Sequence, residues 1–286
     1  MRSAREARER FESLVRWTIE VERPGGVPFL PEPERGAFLD YYKNLPMPGD
    51  EARIRRFLRG FWRGEAGWAA RWLAAREQPR VMDAGCGFGN YSMLFATAGA
   101  EVIGADLRPD RLDAARRRLE HYTQSTGIAL PVRYERADLT REWGAPVDLV
   151  WVYNALSHID PLETFLRAVR DHLRPGGVLV VGDINGAHPQ HLRRLAALRT
   201  EVHQEYVAPD GRAHAYAVER TFTPREMRAV MEANGLSVTH HELYWGGLGM
   251  LPEPVYRGLV EPLQRPWMPL ASRARRQLVV ASAAGS

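Results

Sequence analysis

From residue 80 onward, short apolar runs alternate with longer stretches in which apolar residues recur at helical spacing. The apolar runs lie at 81–82, 102–105, 132–134, 147–152 and 178–181, and the helical stretches lie near 90–98, 109–124 and 161–173. Strands and helices that alternate in this order are typical of a parallel sheet with right-handed crossover connections. The pattern therefore predicts an α/β fold, with further strands near 236–243 and at 278–281.

The first 78 residues differ, because their apolar positions follow helical spacing without strand-like runs. Residues 4–22 predict an amphipathic helix, whose apolar face would contain Phe11, Leu14, Val15, Thr18 and Ile19. Residues 50–77 predict further helix, whose apolar anchors would be Phe57, Phe61, Trp68 and Trp72. We therefore expect a helical lead-in or cap over 1–78, followed by an α/β domain over 79–286.

Two irregular stretches, at about 186–220 and 244–273, interrupt this domain. The first is rich in histidine, and its segment 201–206 predicts a helix on which His203 and Glu205 face either a substrate or solvent. The second is rich in glycine, proline and aromatic residues. Because binding residues concentrate in loops, we expect both stretches and the N-terminal helices to cap the substrate.

Three capping signals mark the ends of predicted helices. Asp160-Pro161-x-Glu163 and Thr223-Pro224-x-Glu226 each combine an N-cap residue, a proline at the first helical position and a capping-box glutamate. Asn234-Gly235 is typical of a helix C-terminus.

The composition, 45% hydrophobic and 26% charged, is that of an ordinary globular protein. No window approaches the roughly 20 apolar residues of a transmembrane helix, and the Arg/Glu-rich N-terminus is not typical of a secretory signal. A single cysteine, Cys86, excludes an internal disulfide and a Cys-type zinc site. We expect a cytoplasmic monomer or homodimer that makes no membrane contact.

The formal net charge is +4, and two arginine clusters, at 53–59 and 273–276, are its densest parts. Nucleic-acid binding would favour a one-signed stripe of charge with interleaved aromatic residues. Acidic residues accompany most of the basic ones, so nucleic acid is not expected as a partner.

The strongest local motif is the glycine-rich segment 81–92, in which an apolar strand runs through Asp83 into Gly85, Gly87 and Gly89 and then into a helix. Glycines allow the backbone to turn sharply and to approach a ligand without Cβ atoms in the way. The helix that follows directs free N–H groups toward the same crevice. This pattern indicates a nucleotide-type cofactor site.

A second carboxylate, Asp106, ends the next predicted strand, 21 residues after Gly85. A carboxylate in this position can accept hydrogen bonds from both hydroxyls of a ribose, or it can cap the helix that starts near Pro109. Enzymes that bind a nicotinamide cofactor also use a glycine loop before a helix, with the spacing G-x-G-x-x-G/A. The segment from Gly87 to Ser92 nearly matches this spacing. The glycines alone therefore leave two cofactors open.

Further elements follow in a fixed order. Asp138 and Leu139 come just after the third predicted strand, 147–159 forms the fourth strand and its continuation, and Leu173-Arg174-Pro175-Gly176-Gly177 leads into the fifth. Together with the glycine loop and Asp106, these elements resemble class I S-adenosylmethionine-dependent methyltransferases of the small-molecule type. The resemblance is close over 80–183 and loose over 221–243.

The resemblance implies a Rossmann-like seven-stranded sheet in which the last strand, Leu278–Ala281, is antiparallel. It also implies S-adenosylmethionine as cofactor and S-adenosylhomocysteine as product. In this family the acidic residue before the glycines orders the loop, and the acidic residue after the third strand pairs with the adenine amino group. The cofactor-binding residues it implies are Asp83, Gly85, Gly87, Gly89, Asp106, Leu107, Asp138, Leu139 and Asn154.

Methyl transfer from a sulfonium is an in-line displacement, so much of the catalysis consists of aligning the acceptor and excluding water. A base helps where the acceptor is a hydroxyl, and His158, just past the fourth strand, is the candidate base. A structural role for His158 is the alternative. Grouped acidic ligands cannot be assembled from this sequence, so no metal is expected.

We expect a small-molecule acceptor, with oxygen favoured over nitrogen or carbon. The segment Tyr153-Asn154-Ala155-Leu156 lacks the Asn/Asp-Pro-Pro-Tyr/Phe tetrad of family members that hold a planar amine or amide. The alternatives are an RNA or protein methyltransferase, a non-catalytic cofactor-binding partner subunit, and a nicotinamide dehydrogenase.

Overall fold

The structure is a computed structural model. It describes residues 4–32, 34–198, 203–207, 211, 213–217, 220–245, 248, 250–268 and 270–284. The chain divides into two compact units, residues 1–136 and 137–286.

The first unit begins with helices and continues as alternating strands and helices. Its elements are α1 (Ala4–Trp17), α2 (Glu34–Tyr41), α3 (Glu51–Trp62), α4 (Glu65–Ala74), β1 (Arg80–Ala84), α5 (Asn90–Thr97), β2 (Glu101–Asp106), α6 (Pro109–Thr126) and β3 (Val132–Arg136). The strands lie in the order β3-β2-β1 and are parallel, with Met82 opposite Ile103 and Ile103 opposite Arg133.

The apolar face predicted for 4–22 is largely confirmed, because Phe11, Leu14 and Ile19 are buried, although a π-helical turn over Thr18–Glu22 follows α1. The anchors predicted in α3 are wrong. Its buried face consists of Ile54, Leu58 and Trp62, which recur every four residues. Phe57 and Phe61 are only half-buried and stack on each other instead.

The second unit contains β4 (Val147–Tyr153), α7 (Leu162–His172), β5 (Leu173–Ile184), α8 (Pro189–Leu198), β6 (His203–Val207), β7 (Ala213–Ala217), α9 (Pro224–Ala233), β8 (Leu236–Tyr244), α10 (Glu253–Val255) and β9 (Arg276–Ala283). Four strands lie in the order β4-β5-β9-β8. β4 and β5 are parallel, whereas β9 is antiparallel to both β5 and β8.

Within the described residues, the strands β1–β5, β8 and β9 make up one seven-stranded mixed sheet. The last strand is antiparallel and includes Leu278–Ala281, so the predicted fold is confirmed. The centre of β4 is fully buried from Leu149 to Val152, which is why this strand reads as a continuous apolar run.

The helix predicted for 201–206 is wrong where the structure describes it. His203–Val207 forms β6, which pairs with Ala213–Ala217 in an antiparallel hairpin, whereas 201–202 lie outside the described residues. A five-residue segment is too short to form a stable helix alone, so it adopts the structure in which its backbone N–H and C=O groups find hydrogen-bond partners. Strand β7 provides those partners. The stretch 244–273 contains short π- and 3₁₀-helical turns, among them Tyr256–Val260 and Glu261–Gln264.

The helix boundaries give one wrong and two confirmed predictions. Thr223 and Glu226 form the predicted capping box, and Gly235 has a φ of +76° just past the C-cap Asn234. α7, in contrast, begins at Leu162 after Pro161 without a side-chain cap. Asp160 instead lies 3.5 Å from the Arg220 guanidinium, with which it forms an ion pair. No helix in the described part of the chain is long and apolar enough to cross a membrane.

Candidate functional site

The glycine loop follows β1 directly, and each of its three glycines has a positive φ. The φ angles of Gly85, Gly87 and Gly89 are +74°, +52° and +73°. The N–H groups of Gly85 and Cys86 both donate to the Ala105 carbonyl of β2, at 2.8 and 3.0 Å, so the loop starts from a fixed point. An L-residue in this conformation is strained, which explains why glycine recurs.

Asp106, at the end of β2, fixes the middle of the loop. Its Oδ2 accepts a hydrogen bond from the Gly87 N–H at 2.9 Å, and its Oδ1 accepts one from the Arg108 N–H at 2.9 Å. Burial raises the pKa of Asp106, and these backbone donors partly oppose that rise. Asp106 does not cap α6 directly, because Arg108 is the N-cap residue. The carboxylate therefore joins the loop to the start of α6.

Asp83 lies beneath the loop, where only 3% of it is exposed. Its Oδ2 accepts a hydrogen bond from the Ser92 hydroxyl of α5 at 2.6 Å. Burial raises the pKa of Asp83 to about 7, although the Ser92 hydrogen bonds oppose the shift. This carboxyl group therefore connects β1 to α5.

Tyr134 of β3 is a residue that sequence reasoning missed. A Cβ added to Gly89 would lie 2.0 Å from the Tyr134 hydroxyl oxygen, and one added to Gly104 would lie 2.6 Å from its ring. Gly89 and Gly104 therefore make room for the same buried ring. The available signal was the conjunction of a glycine inside β2 with an aromatic residue opposite it in β3.

Arg118 of α6 is the second missed residue. Its guanidinium donates to both carboxylate oxygens of Glu22, to the Phe88 carbonyl and to Asn90 Oδ1. The exit of the glycine loop is thereby tied to the N-terminal segment. The available signal was its spacing, because Leu112, Ala115, Arg118 and Tyr122 share the buried face of α6.

Three more predicted residues, Leu107, Asp138 and Leu139, follow the ends of strands. Leu107 is half-buried immediately after β2. In the second unit, Asp138 Oδ1 accepts hydrogen bonds from the Thr140 N–H at 3.0 Å and from its hydroxyl at 2.6 Å. Leu139 is buried beside it, and its carbonyl accepts from the Trp143 indole at 2.7 Å.

Asn154 follows β4 with a φ of +52°, and its N–H donates to the Gly182 carbonyl of β5 at 2.9 Å. Its Oδ1 accepts a hydrogen bond from Arg276 Nη1 at 2.8 Å. The Arg276 guanidinium lies 4.5 Å from the centre of the Tyr153 ring. Arg276, which sequence reasoning noted only as part of a charge cluster, thus fixes the side chain of Asn154.

His158 lies half-exposed at the end of the 3₁₀ turn Leu156–His158. Asp183, near the end of β5, is 3% exposed and accepts a hydrogen bond from the Ile184 N–H at 2.7 Å. Burial raises the pKa of Asp183, while the nearby charges of Arg276 and His158 lower it. Asp183 is therefore a buried carboxyl group in the surroundings of His158, and sequence reasoning missed it.

Among the predicted residues, the first unit gathers Asp83, the three loop glycines, Asp106 and Leu107 around the ends of β1 and β2. The second unit places Asn154 and His158 just after β4, and Asp138 and Leu139 in a separate turn. Their roles in binding and catalysis stay predictions.

Comparisons with known proteins add to this geometry. A family model described as a methyltransferase domain matches residues 82–179. The chain is 34% identical over 158 residues to the ubiquinone biosynthesis O-methyltransferase of Ruegeria pomeroyi, a match that covers 55% of this chain and 59% of that protein. For the protein of the same name from Sinorhizobium fredii, the identity is 29% over 162 residues, covering 56% and 60%. The chain spans about three fifths of the length of these curated relatives.

Solved structures show the same fold at low identity. The CcbJ methyltransferase from Streptomyces caelestis matches with a TM-score of 0.53 and 18% identity, over 87% of this chain and 96% of that one. The magnesium protoporphyrin IX methyltransferase from Synechocystis PCC 6803, solved with bound S-adenosylhomocysteine, matches with a TM-score of 0.51 and 15% identity, over 87% and 100%.

Proposed function

We propose that the chain is a class I S-adenosylmethionine-dependent methyltransferase and that it methylates a hydroxyl group of a small-molecule acceptor. S-adenosylmethionine is the cofactor that we propose for it, which the match to a methyltransferase domain supports. The observation that carries the proposal is that Asp106 fixes the glycine loop, because its Oδ2 accepts a hydrogen bond from the Gly87 backbone N–H at 2.9 Å.

The residues of the loop fit this cofactor. A Cβ added to Gly87 would meet no atom within 4 Å, so the loop has open space above its central glycine. A carboxylate oxygen that accepts one backbone hydrogen bond keeps a further acceptor position, and Asp106 has two such oxygens. We propose that Gly85, Gly87 and Gly89 hold the methionine end and that Asp106 accepts hydrogen bonds from the ribose hydroxyls.

When bound, S-adenosylmethionine supplies a methyl group on a positively charged sulfur, which is already an activated leaving group. The protein's task is then to hold the acceptor oxygen in line with that methyl group and to remove its proton. We propose His158 for proton removal, because it lies half-exposed just after β4 with the Asp183 carboxyl group nearby. Asn154, fixed by Arg276, would border the reacting groups.

The preference for oxygen draws support from the relatives. The curated proteins that match this chain from Ruegeria pomeroyi and Sinorhizobium fredii are O-methyltransferases by name. A hydroxyl acceptor would also explain a base at His158, because a hydroxyl group depends more on a base for the removal of its proton than an amine or an enol does.

Calorimetric titration with S-adenosylmethionine, S-adenosylhomocysteine and NADH tests the cofactor site. We expect the first two to bind and Asp106→Ala to weaken both at least about tenfold, since a charged acceptor of ribose hydrogen bonds is lost. Asp110→Ala is the matched control, because Asp110 lies four residues away and pairs with Arg108 on the surface. Binding of NADH alone, or equal losses in both variants, would contradict the proposal.

Transfer of a radiolabelled methyl group to a panel of phenols, amines and carbon acids tests the reaction itself. Label recovered in a methyl ether supports the oxygen assignment. Label found only in N-methyl or C-methyl products would refute that assignment while leaving the cofactor site intact.

A further inference from the structure

Two segments of the second unit contain basic residues and no acidic ones. Residues 184–200 and 262–286 lack Asp and Glu altogether. The first segment includes His188, His191 and Arg193, and the second includes Arg273 and Arg275. Elsewhere in this unit arginines commonly face carboxylates, as in the pairs Arg170–Asp171, Arg174–Asp148, Arg220–Asp160, Arg228–Glu232 and Arg257–Glu253.

The buried residue Asn185 holds these two segments together. Its side-chain Nδ2 donates to the carbonyls of Ala271 and Ala274, at 2.8 and 2.9 Å. Its backbone N–H donates to the Arg275 carbonyl at 2.9 Å, and its own carbonyl accepts from the His188 N–H at 3.0 Å. The backbones that bear His188 and Arg275 are therefore fixed to the same residue.

The five side chains His188, His191, Arg193, Arg273 and Arg275 form what we call the basic cluster. The rings of His188 and His191 lie 5.3 Å apart, and the three arginines are exposed. Burial lowers the pKa of His188, and the positive charges of His191, Arg275, Arg273 and Arg193 lower it further. Among the described residues, no carboxylate forms an ion pair with any of the three arginines. The three arginines thus carry positive charges that no carboxylate of the described residues pairs with.

The basic cluster lies at the end of β5 that borders the proposed methyl-transfer residues. Asn185 directly follows Ile184, the last residue of β5, and Ile184 is paired with Arg276 of β9. Arg276 in turn donates to Asn154 at the end of β4. Ligands of open α/β sheets bind outside the carboxyl ends of the strands. A small molecule at this edge can therefore reach the basic cluster with one end and Asn154 with the other.

We infer that the basic cluster binds an anionic group, a carboxylate or a phosphate, of the methyl acceptor. The inference rests on the proposed function in taking the ligand to be the acceptor. Arginine forks match the geometry of both anions, and Arg273 and Arg275 are exposed next to the backbone that Asn185 fixes. The preferred substrates are thus hydroxylated acids rather than neutral phenols.

Histidine ring NMR on the full chain, titrated with inorganic phosphate at constant ionic strength, tests the anion site without any need for activity. His188→Gln and His191→Gln assign the two rings. We expect their signals to shift saturably and the pKa of His188 to rise, because a bound anion offsets the neighbouring positive charges. Arg273→Gln and Arg275→Gln each weaken phosphate binding about tenfold, the usual effect of losing one charge-assisted hydrogen bond.

Arg228→Gln is the matched control, since Arg228 lies in the same unit but pairs with Glu232, and it leaves phosphate binding unchanged. Shifts that do not saturate, or that are equal in all three arginine variants, would overturn the anion site.

A second arm compares methyl transfer to hydroxybenzoic acids with transfer to the corresponding phenols. The acids should have the higher kcat/KM. Arg275→Gln should lower the ratio of kcat/KM for acids to that for phenols about tenfold. Equal kcat/KM for acids and phenols would overturn the assignment of the anion to the acceptor. Saturable phosphate binding in a chain that methylates no acceptor would support the anion site and contradict the proposed function, so the two failures are distinguishable.

Discussion

Arg118 and Glu22, 96 positions apart in the sequence, form a buried bidentate ion pair, with Nε 2.5 Å from Oε1 and Nη2 2.9 Å from Oε2. Only 2% of Arg118 is exposed, and none of Glu22. Burial opposes the charged guanidinium, yet the attraction of Glu22 outweighs it, so the pKa of Arg118 is raised. Because the same guanidinium donates to the Phe88 carbonyl, the pair links the N-terminal segment to the glycine loop.

Removing one partner of this pair should destabilise the protein strongly. Arg118→Met and Glu22→Gln each should lower the free energy of unfolding by about 3–5 kcal/mol, because a buried charge or its acceptors lose their partner. The double variant Arg118→Met/Glu22→Gln should lose less than the sum of the single changes. Urea unfolding of the four proteins measures the coupling.

Arg117→Met is the matched control for this cycle, because Arg117 is the exposed neighbour on α6 and its loss should cost under about 0.5 kcal/mol. Calorimetry on folded Arg118→Met should also show weaker S-adenosylhomocysteine binding, because the Phe88 carbonyl and Asn90 Oδ1 lose the hydrogen bonds that they accept from Arg118 Nη1. Additive single changes would show that the pair is not coupled.

Gly89→Ala should destabilise the protein far more than an alanine at another glycine that has a left-handed backbone conformation. A Cβ at Gly89 would overlap the Tyr134 hydroxyl at 2.0 Å, whereas one at Gly127, with a φ of +71°, meets no atom within 4 Å. Gly127→Ala should therefore cost about 1–2 kcal/mol from backbone strain alone, and Gly89→Ala distinctly more. Adding Tyr134→Phe should recover part of the difference in thermal unfolding. An equal loss in the two alanine variants would mean that the ring moves aside freely.

The fold was predictable because its signals are local or periodic. The buried runs of β1, β4 and β5 and the capping box at Thr223 each depend on neighbouring residues, so one sequence suffices to read them. The glycine loop was predictable for the same reason, since its three positive φ angles demand glycine at fixed spacing.

The partners of the residues that support the site were not predictable, because they are distant in sequence. Arg118 acts through Glu22, and Asn154 through Arg276, 122 positions away. The sequence around an arginine does not indicate which carboxylate or amide it will contact in the folded protein. His203 was misread for a related reason, since a five-residue segment takes its structure from the partner strand β7.

His158→Gln should lower kcat for methylation of a hydroxyl acceptor by about 10²-fold or more while leaving the affinity for S-adenosylhomocysteine unchanged, because a base acts only in the reaction step. His240→Gln, on the exposed side of β8, is the control and should leave kcat unchanged. A loss of less than about threefold would assign His158 a structural role.

Asp83 should make the stability of the protein depend on pH, and its burial determines whether stability rises or falls as pH rises. Its folded pKa of about 7 lies above the ordinary value of 3.8, so the folded state keeps a proton that the unfolded chain releases. Stability from this group is therefore full below about pH 4 and falls as pH rises toward 7, by up to about 4 kcal/mol. His241, whose pKa burial lowers to about 4, acts in the opposite direction below pH 6.5, so the native curve alone is ambiguous. The difference in unfolding free energy between Asp83→Asn and the native protein isolates Asp83: it should shift in favour of the variant between pH 4 and pH 8, and the same shift should appear in a His241→Gln background. A difference that stays constant over this range would show that Asp83 is ionised in the folded protein.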